Sequence, residues 1–111
     1  MWGGQSKYHA KKTTVDGITF DSRREADRYL VLKSMEEDGA IEDLRRQVRY
    51  ELVPAFDADG RHYRPVYYVA DFVYGEDGKE VVEDVKGMRT DVYRLKSKLF
   101  AYRYGMSIRE T

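Results

Sequence analysis

Three times the sequence sets an Asp-Gly pair between stretches of extended character: Asp16-Gly17, Asp59-Gly60 and Asp77-Gly78. Asp-Gly is a strong short-range signal for a tight hairpin, because both residues accept a backbone conformation that most side chains resist. The stretches around the last two pairs read as strands. From Gln47 to Val53, Val48, Tyr50 and Leu52 alternate with Gln47, Arg49 and Glu51, the period of a half-buried strand. Pro54 marks its end. A second strand is expected at about Tyr63–Tyr74 and a third at Glu80–Lys86, which makes an antiparallel meander. The first Asp-Gly pair closes a short hairpin ahead of it.

Helical spacing brackets the meander. Ser22-x-x-Glu25 is a capping box, and Ala26, Tyr29, Leu30, Leu32 and Met35 follow at intervals that put them on a core-facing side. Gly39 supplies the stop, and Ala40–Arg46 reads as a connector. A second helix begins at Thr90 or Asp91. Its Val92, Leu95, Leu99 and Tyr102 form one apolar stripe expected to face the core. Gly105 ends it, and Met106, Ile108 and Glu110 suggest a last short strand. The order α-β-β-β-α-β predicts an α/β fold, a mixed central sheet flanked by helices. Residues 1–13, with Lys7, His9, Lys11 and Lys12, are expected to form a flexible basic tail. Residues 14–111 suit a single domain.

Charge and cysteine content narrow the chemistry. The 20 basic and 20 acidic residues cancel, so DNA binding would need a local basic face. Two basic groups stand out: Arg45, Arg46 and Arg49, and then Lys86, Arg89, Arg94, Lys96 and Lys98. With no cysteine, disulfides, thiolate catalysis and Cys-based metal sites are excluded, so any metal site must use carboxylates or the two His. The longest apolar run in the middle of the chain, Val66–Ala70, is too short to span a bilayer, and no secretory segment is visible. A soluble, intracellular protein is expected.

Two acids interrupt apolar strands. Asp71 lies within Val69-Ala70-Asp71-Phe72-Val73, where a carboxylate costs free energy unless it is paired or binds a cation. In Val82-Glu83-Asp84-Val85-Lys86, strand alternation turns Val82, Asp84 and Lys86 one way and Glu83 and Val85 the other. Acids on neighbouring strands can converge, and a divalent cation then removes their repulsion. Hard oxygen ligands suit Mg²⁺ or Mn²⁺. The matching chemistry is metal-assisted phosphodiester hydrolysis, with a lysine to orient the attacking water and offset phosphate charge. Glu25 offers a third carboxylate.

The set Glu25, Asp71 and Asp84-x-Lys86, in that order on α-β-β-β-α-β, resembles the PD-(D/E)XK nuclease superfamily of restriction-endonuclease-like fold. More closely, the chain resembles a small phage- and prophage-associated family of unknown function proposed to be endonuclease- or Holliday-junction-resolvase-like. The stretches that carry this are Lys7-Tyr8, Thr14–Ile18, Phe20-Asp21-Ser22 with Glu25-Ala26, Gln47–Leu52, Tyr68–Phe72 and Glu83–Gly87. The resemblance implies that Glu25, Asp71 and Asp84 ligate Mg²⁺ or Mn²⁺ and that Lys86 is the catalytic lysine. It implies Gln47 as a supporting polar residue, and DNA contacts along Arg89, Arg94, Lys96 and Lys98. It further implies a DNA endonuclease acting on branched or recombination-intermediate DNA in the cytoplasm of a bacterial host, as a homodimer that pairs two sites. The sequence departs from the superfamily pattern in having Ala70, not Pro, before Asp71, and Asp84, not Glu, as the second acid.

Simpler roles compete residue by residue. Glu25 could act only as a helix cap, Asp71 could pair with Arg49 or Arg64, and Asp84 with Lys86 could be a surface pair. Glu83 is expected to be solvated or salt-bridged, and His9 and His62 exposed. Asp57-Ala58-Asp59-Gly60 begins like a calcium loop, but the twelfth position is Tyr68, so it reads as a turn. Most tyrosines read as core and sheet residues. At the level of the whole chain the alternatives are a non-catalytic nucleic-acid-binding module on the same fold, and a small phage accessory protein.

Overall fold

The computed structural model describes residues 11–86 and 88–111; Gly87 and most of the expected basic tail, Lys7 and His9 included, lie outside these. The three Asp-Gly pairs between extended stretches make tight turns with positive φ at both residues: 53° and 75° at Asp16-Gly17, 51° and 74° at Asp59-Gly60, 54° and 77° at Asp77-Gly78. The first joins β1 (Thr13–Val15) to β2 (Ile18–Phe20), antiparallel. Helix α1 (Arg23–Glu37) follows, and the Ser22 hydroxyl accepts from the Glu25 backbone N–H at 3.1 Å. Gly39, at φ 80°, turns the chain out of the helix.

The remaining elements are β3 (Glu42–Val53), β4 (Phe56–Ala58), β5 (Arg61–Tyr63), β6 (Val66–Glu76), β7 (Lys79–Asp84), α2 (Asp91–Tyr104) and β8 (Arg109–Glu110). The main sheet has the order β3-β6-β7-β8, antiparallel except for the parallel β7–β8 pair. The fold is therefore α/β, a mixed four-stranded sheet flanked by two helices. Phe20, Ala26, Tyr29, Leu32, Phe72 and Tyr74 form a core under α1. Leu52, Tyr68, Ala70, Val73, Val82, Tyr93 and Phe100 form a second core under α2, on the other face. No described helix is long and apolar enough to cross a membrane.

One irregularity shapes the sheet. In β6, Tyr68 and Ala70 join the α2 core, whereas Phe72 and Tyr74, of the same parity, join the α1 core. In β3, Leu44 packs against the α1 core and Val48 and Tyr50 against the other. Both strands change face at one level. Arg46 pairs with Phe72 and Val48 with Ala70, leaving Gln47 and Asp71 opposite each other between them. Gln47 sits there at φ 53°, a left-handed conformation that costs a non-glycine residue about 1–2 kcal/mol.

The elements depart from the sequence expectations in four places. Strand β3 starts at Glu42, so most of the Ala40–Arg46 connector is strand; a register shift between Glu42 and Arg45, with Asp43 at φ 56°, hides the alternation. The expected strand Tyr63–Tyr74 is divided at Pro65, and Arg61–Tyr63 pairs with Phe56–Ala58 in a separate hairpin. The third strand is Lys79–Asp84, with Val85 and Lys86 beyond it. Finally, most of the stripe on α2 does not face the core: Leu99 packs against it, but Leu95 is 58% and Tyr102 88% exposed, and Val92 is exposed too. Tyr93 and Phe100 are buried in its place, because aromatic rings fill the space over β6, with Phe100 packing on Tyr50 and Tyr68. On α1, Leu30 is likewise exposed.

Candidate active site

Strands β6 and β7 stay paired to Phe72–Glu83 and then part. The Asp71 carboxylate occupies the opening and accepts the Val85 backbone N–H at 2.8 Å, which replaces the next rung of the ladder. Asp84, at the end of β7, is buried. One of its oxygens accepts from the Tyr68 hydroxyl at 2.6 Å, and the other lies 3.3 Å from Lys86 Nζ. Asp71 and Asp84 line the same concavity. Lys86 Nζ is 4.1 Å from the centre of the Tyr93 ring, whose quadrupole favours a cation.

Glu25 comes from the first turn of α1 and is buried. Its carboxylate accepts from Gln47 Nε2 at 3.4 Å and lies 3.8 Å from the Arg46 guanidinium. It is thus more than a cap: the Ser22 bond uses only the Glu25 backbone, and the side chain reaches β3. Glu25, Asp71, Asp84, Lys86, Tyr93 and Lys96 line one open concavity of about 400 Å³. All four residues expected to be catalytic therefore meet. Gln47 joins them through Glu25, and Lys96 directly. Arg89 pairs with Glu110 and borders the adjoining concavity with Arg24 and Lys86. Arg94 pairs with Asp91 on the outside of α2. Neither Arg94 nor Lys98 lines these concavities.

Burial sets the electrostatics of the cluster. It pushes the Asp71 carboxyl up to about 7, aided by the hydrogen bond and charge of Asp84 and by Glu25, against the pull of the Val85 N–H. Burial also raises the Glu25 carboxyl; Arg46 draws it down, and Asp21 and Asp84 add to the rise. The Tyr68 hydroxyl is raised by burial and by its bond to Asp84, so it stays a donor. Among the described residues no group of three His, Asp or Glu side chains stands close enough to hold a metal ion. The carboxylates are instead engaged by Arg46, Gln47, Tyr68, Lys86 and the Val85 N–H.

Glu83 faces the other way, as alternation predicts. It is not solvated: it is fully buried and accepts from Arg28 at 2.6 and 3.0 Å, from the Tyr74 hydroxyl at 2.6 Å and from the Thr111 hydroxyl at 3.0 Å. Arg49 does not pair with Asp71; its guanidinium lies on the Tyr67 ring at 4.3 Å. Sequence reasoning missed Tyr68 and Tyr93, and it singled out Arg46 only as part of a basic group. A lone tyrosine in a strand carries no functional signal until the register shows which acid it faces.

A family model described as "Protein of unknown function (DUF1064)" matches residues 5–111. The chain belongs to this family. The description assigns the family no activity, so membership leaves the chemistry to be read from the site. A search of curated proteins finds no match, and neither does a search of solved structures.

Proposed function

We propose that this chain is a metal-dependent DNA endonuclease of restriction-endonuclease-like type, hydrolysing phosphodiester bonds at the Asp71–Asp84 cluster. The observation that carries the proposal is the meeting of Asp71, Asp84 and Lys86 with Glu25 in one concavity. Two neighbouring carboxyls, Asp84 buried and Asp71 partly so, repel each other unless a proton or a cation lies between them, and their oxygens suit Mg²⁺ or Mn²⁺. Asp71 and Asp84 would hold the ion, and Glu25 would join them on turning away from Gln47. Such an ion, when bound, polarises a phosphoryl oxygen and lowers the pKa of water. Lys86, steadied between Asp84 and the Tyr93 ring, orients the attacking water and offsets charge on the phosphate. Lys96 and Arg89 contact neighbouring phosphates, and Arg94 and Lys98 act at longer range. Branched or recombination-intermediate DNA, a bacterial host cytoplasm and a homodimer complete the proposal; the dimer would sediment at twice the monomer mass.

The test is a cleavage assay on labelled duplex, single-stranded and four-way-junction DNA with Mg²⁺, Mn²⁺ or EDTA. Metal-dependent cutting lost in both Lys86→Ala and Asp71→Ala is the expected result. DNA binding without cutting on any substrate, unchanged in both variants, would replace the enzyme with a non-catalytic binding module.

A further inference from the structure

The hairpin of β4 and β5 stands apart from both cores. Among the described residues, its strands pack substantially only on each other. Phe56 and Tyr63 sit opposite each other with rings nearly parallel, at 11° and 4.9 Å, yet they are 44% and 39% exposed. A cross-strand aromatic pair steadies a two-stranded ribbon, which accounts for the stacking but not for the residues beside it. Phe56 pairs with Tyr63 and Ala58 with Arg61, so these four share a face. The other face carries Asp57 and His62, bonded to each other at 2.9 Å. The ring-bearing face thus presents an arginine and no carboxylate. Arg61 lies 5.8 Å from the centre of the Tyr63 ring.

The same pairing recurs nearer the site, where Arg49 lies on Tyr67. Tyr67 falls midway in sequence between Tyr63 and Asp71. At about 3.3 Å per extended residue, the two arginine–aromatic pairs lie up to about 13 and 26 Å from Asp71 along the strand line. A small ligand at the site would not reach them, but a polymer running along β6 would. Rings offer stacking surfaces to unpaired bases, and guanidiniums meet phosphates.

We propose that the β4–β5 hairpin, with Arg49 and Tyr67, grips an unpaired flank of the nucleic-acid strand whose scissile phosphate lies at the Asp71–Asp84 cluster. The inference rests on the nuclease proposal and adds a reach to it. A reach of up to about 26 Å is covered by at most roughly eight nucleotides at the stacked rise of about 3.4 Å each, and by fewer in an extended single strand, on one side of the cut.

The test uses the full chain and fluorescence anisotropy in EDTA, where cutting is suppressed. Probes are duplex DNA, and the same duplex with single-stranded overhangs of four or twelve nucleotides. Wild type should bind the twelve-nucleotide overhang at least tenfold more tightly than the blunt duplex, with the four-nucleotide overhang between them. Phe56→Leu/Tyr63→Leu, which keeps an apolar cross-strand pair, should lose that preference while its circular dichroism stays unchanged. Arg61→Ala should lower the slope of log affinity against log salt by about one. Equal binding of all three probes by wild type, or an unaltered preference in the variants, overturns the inference. If wild type still cuts DNA in that case, only the hairpin's role is lost, and a protein becomes its candidate partner. Failure of wild type to bind or cut any DNA overturns this inference and the nuclease proposal together.

Discussion

Tyr68 is the residue whose role the sequence hides best. Its ring belongs to the core under α2, and its hydroxyl reaches Asp84 at 2.6 Å. Tyr68→Phe keeps the ring and removes the donor. Loss of a hydrogen bond to a charged group costs about 1.5–3 kcal/mol, to be read as a lowered urea midpoint. Cleavage should also fall, since one oxygen of Asp84 loses its anchor. The acids and Lys86 were legible in the sequence, because a carboxylate in an apolar strand demands a partner. Their tyrosine neighbours were not, because a tyrosine is at home in any sheet. Glu25 lay between these cases: its capping spacing was visible, while its carboxylate's contact with Gln47 depends on where β3 runs.

Two devices connect elements to the site. One is the Arg28–Glu83 pair, which ties α1 to β7 one residue from Asp84 and one helical turn from Glu25. Burial alone would raise the Glu83 carboxyl, but donors from Arg28, Tyr74 and Thr111 outweigh it and hold the group below its usual value. Such a group adds stability above the ordinary glutamate range and loses it as pH falls through the folded value. Urea midpoints should therefore drop below about pH 4, and Glu83→Gln should flatten that dependence. Arg28→Met strands a buried carboxylate and should cost about 3 kcal/mol at neutral pH. The other device is Gln47, held at φ 53° where β3 and β6 change face. Gln47→Gly should raise stability by about 1 kcal/mol through relieved backbone strain, read as a raised urea midpoint. Neither device could be read beforehand. A face change breaks the period-two pattern on which strand reading rests, and Glu83 is distinguished from a surface acid only by the helix over it.

At the scale of the molecule, turn chemistry carried the architecture. The Asp-Gly pairs at 16–17, 59–60 and 77–78 each became a hairpin turn, while Asp38-Gly39 closes α1, and capping residues bounded both helices where expected. What failed was the orientation of α2. Of its evenly spaced stripe only Leu99 packs on the core, because Tyr93 and Phe100 bury more surface against the sheet than Val92 and Leu95 would. Periodicity finds a helix's apolar face, but side-chain size decides which face is buried. The fold brings the first turn of α1, the middle of β6 and the end of β7 to one concavity, and the account stands on that convergence being a hydrolytic centre. The most direct measurement compares wild type with Lys86→Ala on one labelled DNA, with Mg²⁺ and with EDTA, recording cutting and binding together. The account predicts Mg²⁺-dependent cutting by wild type, and a variant that binds the DNA as tightly but cuts at least a hundredfold more slowly. Equal rates in the two proteins, or cutting that persists in EDTA, would contradict it.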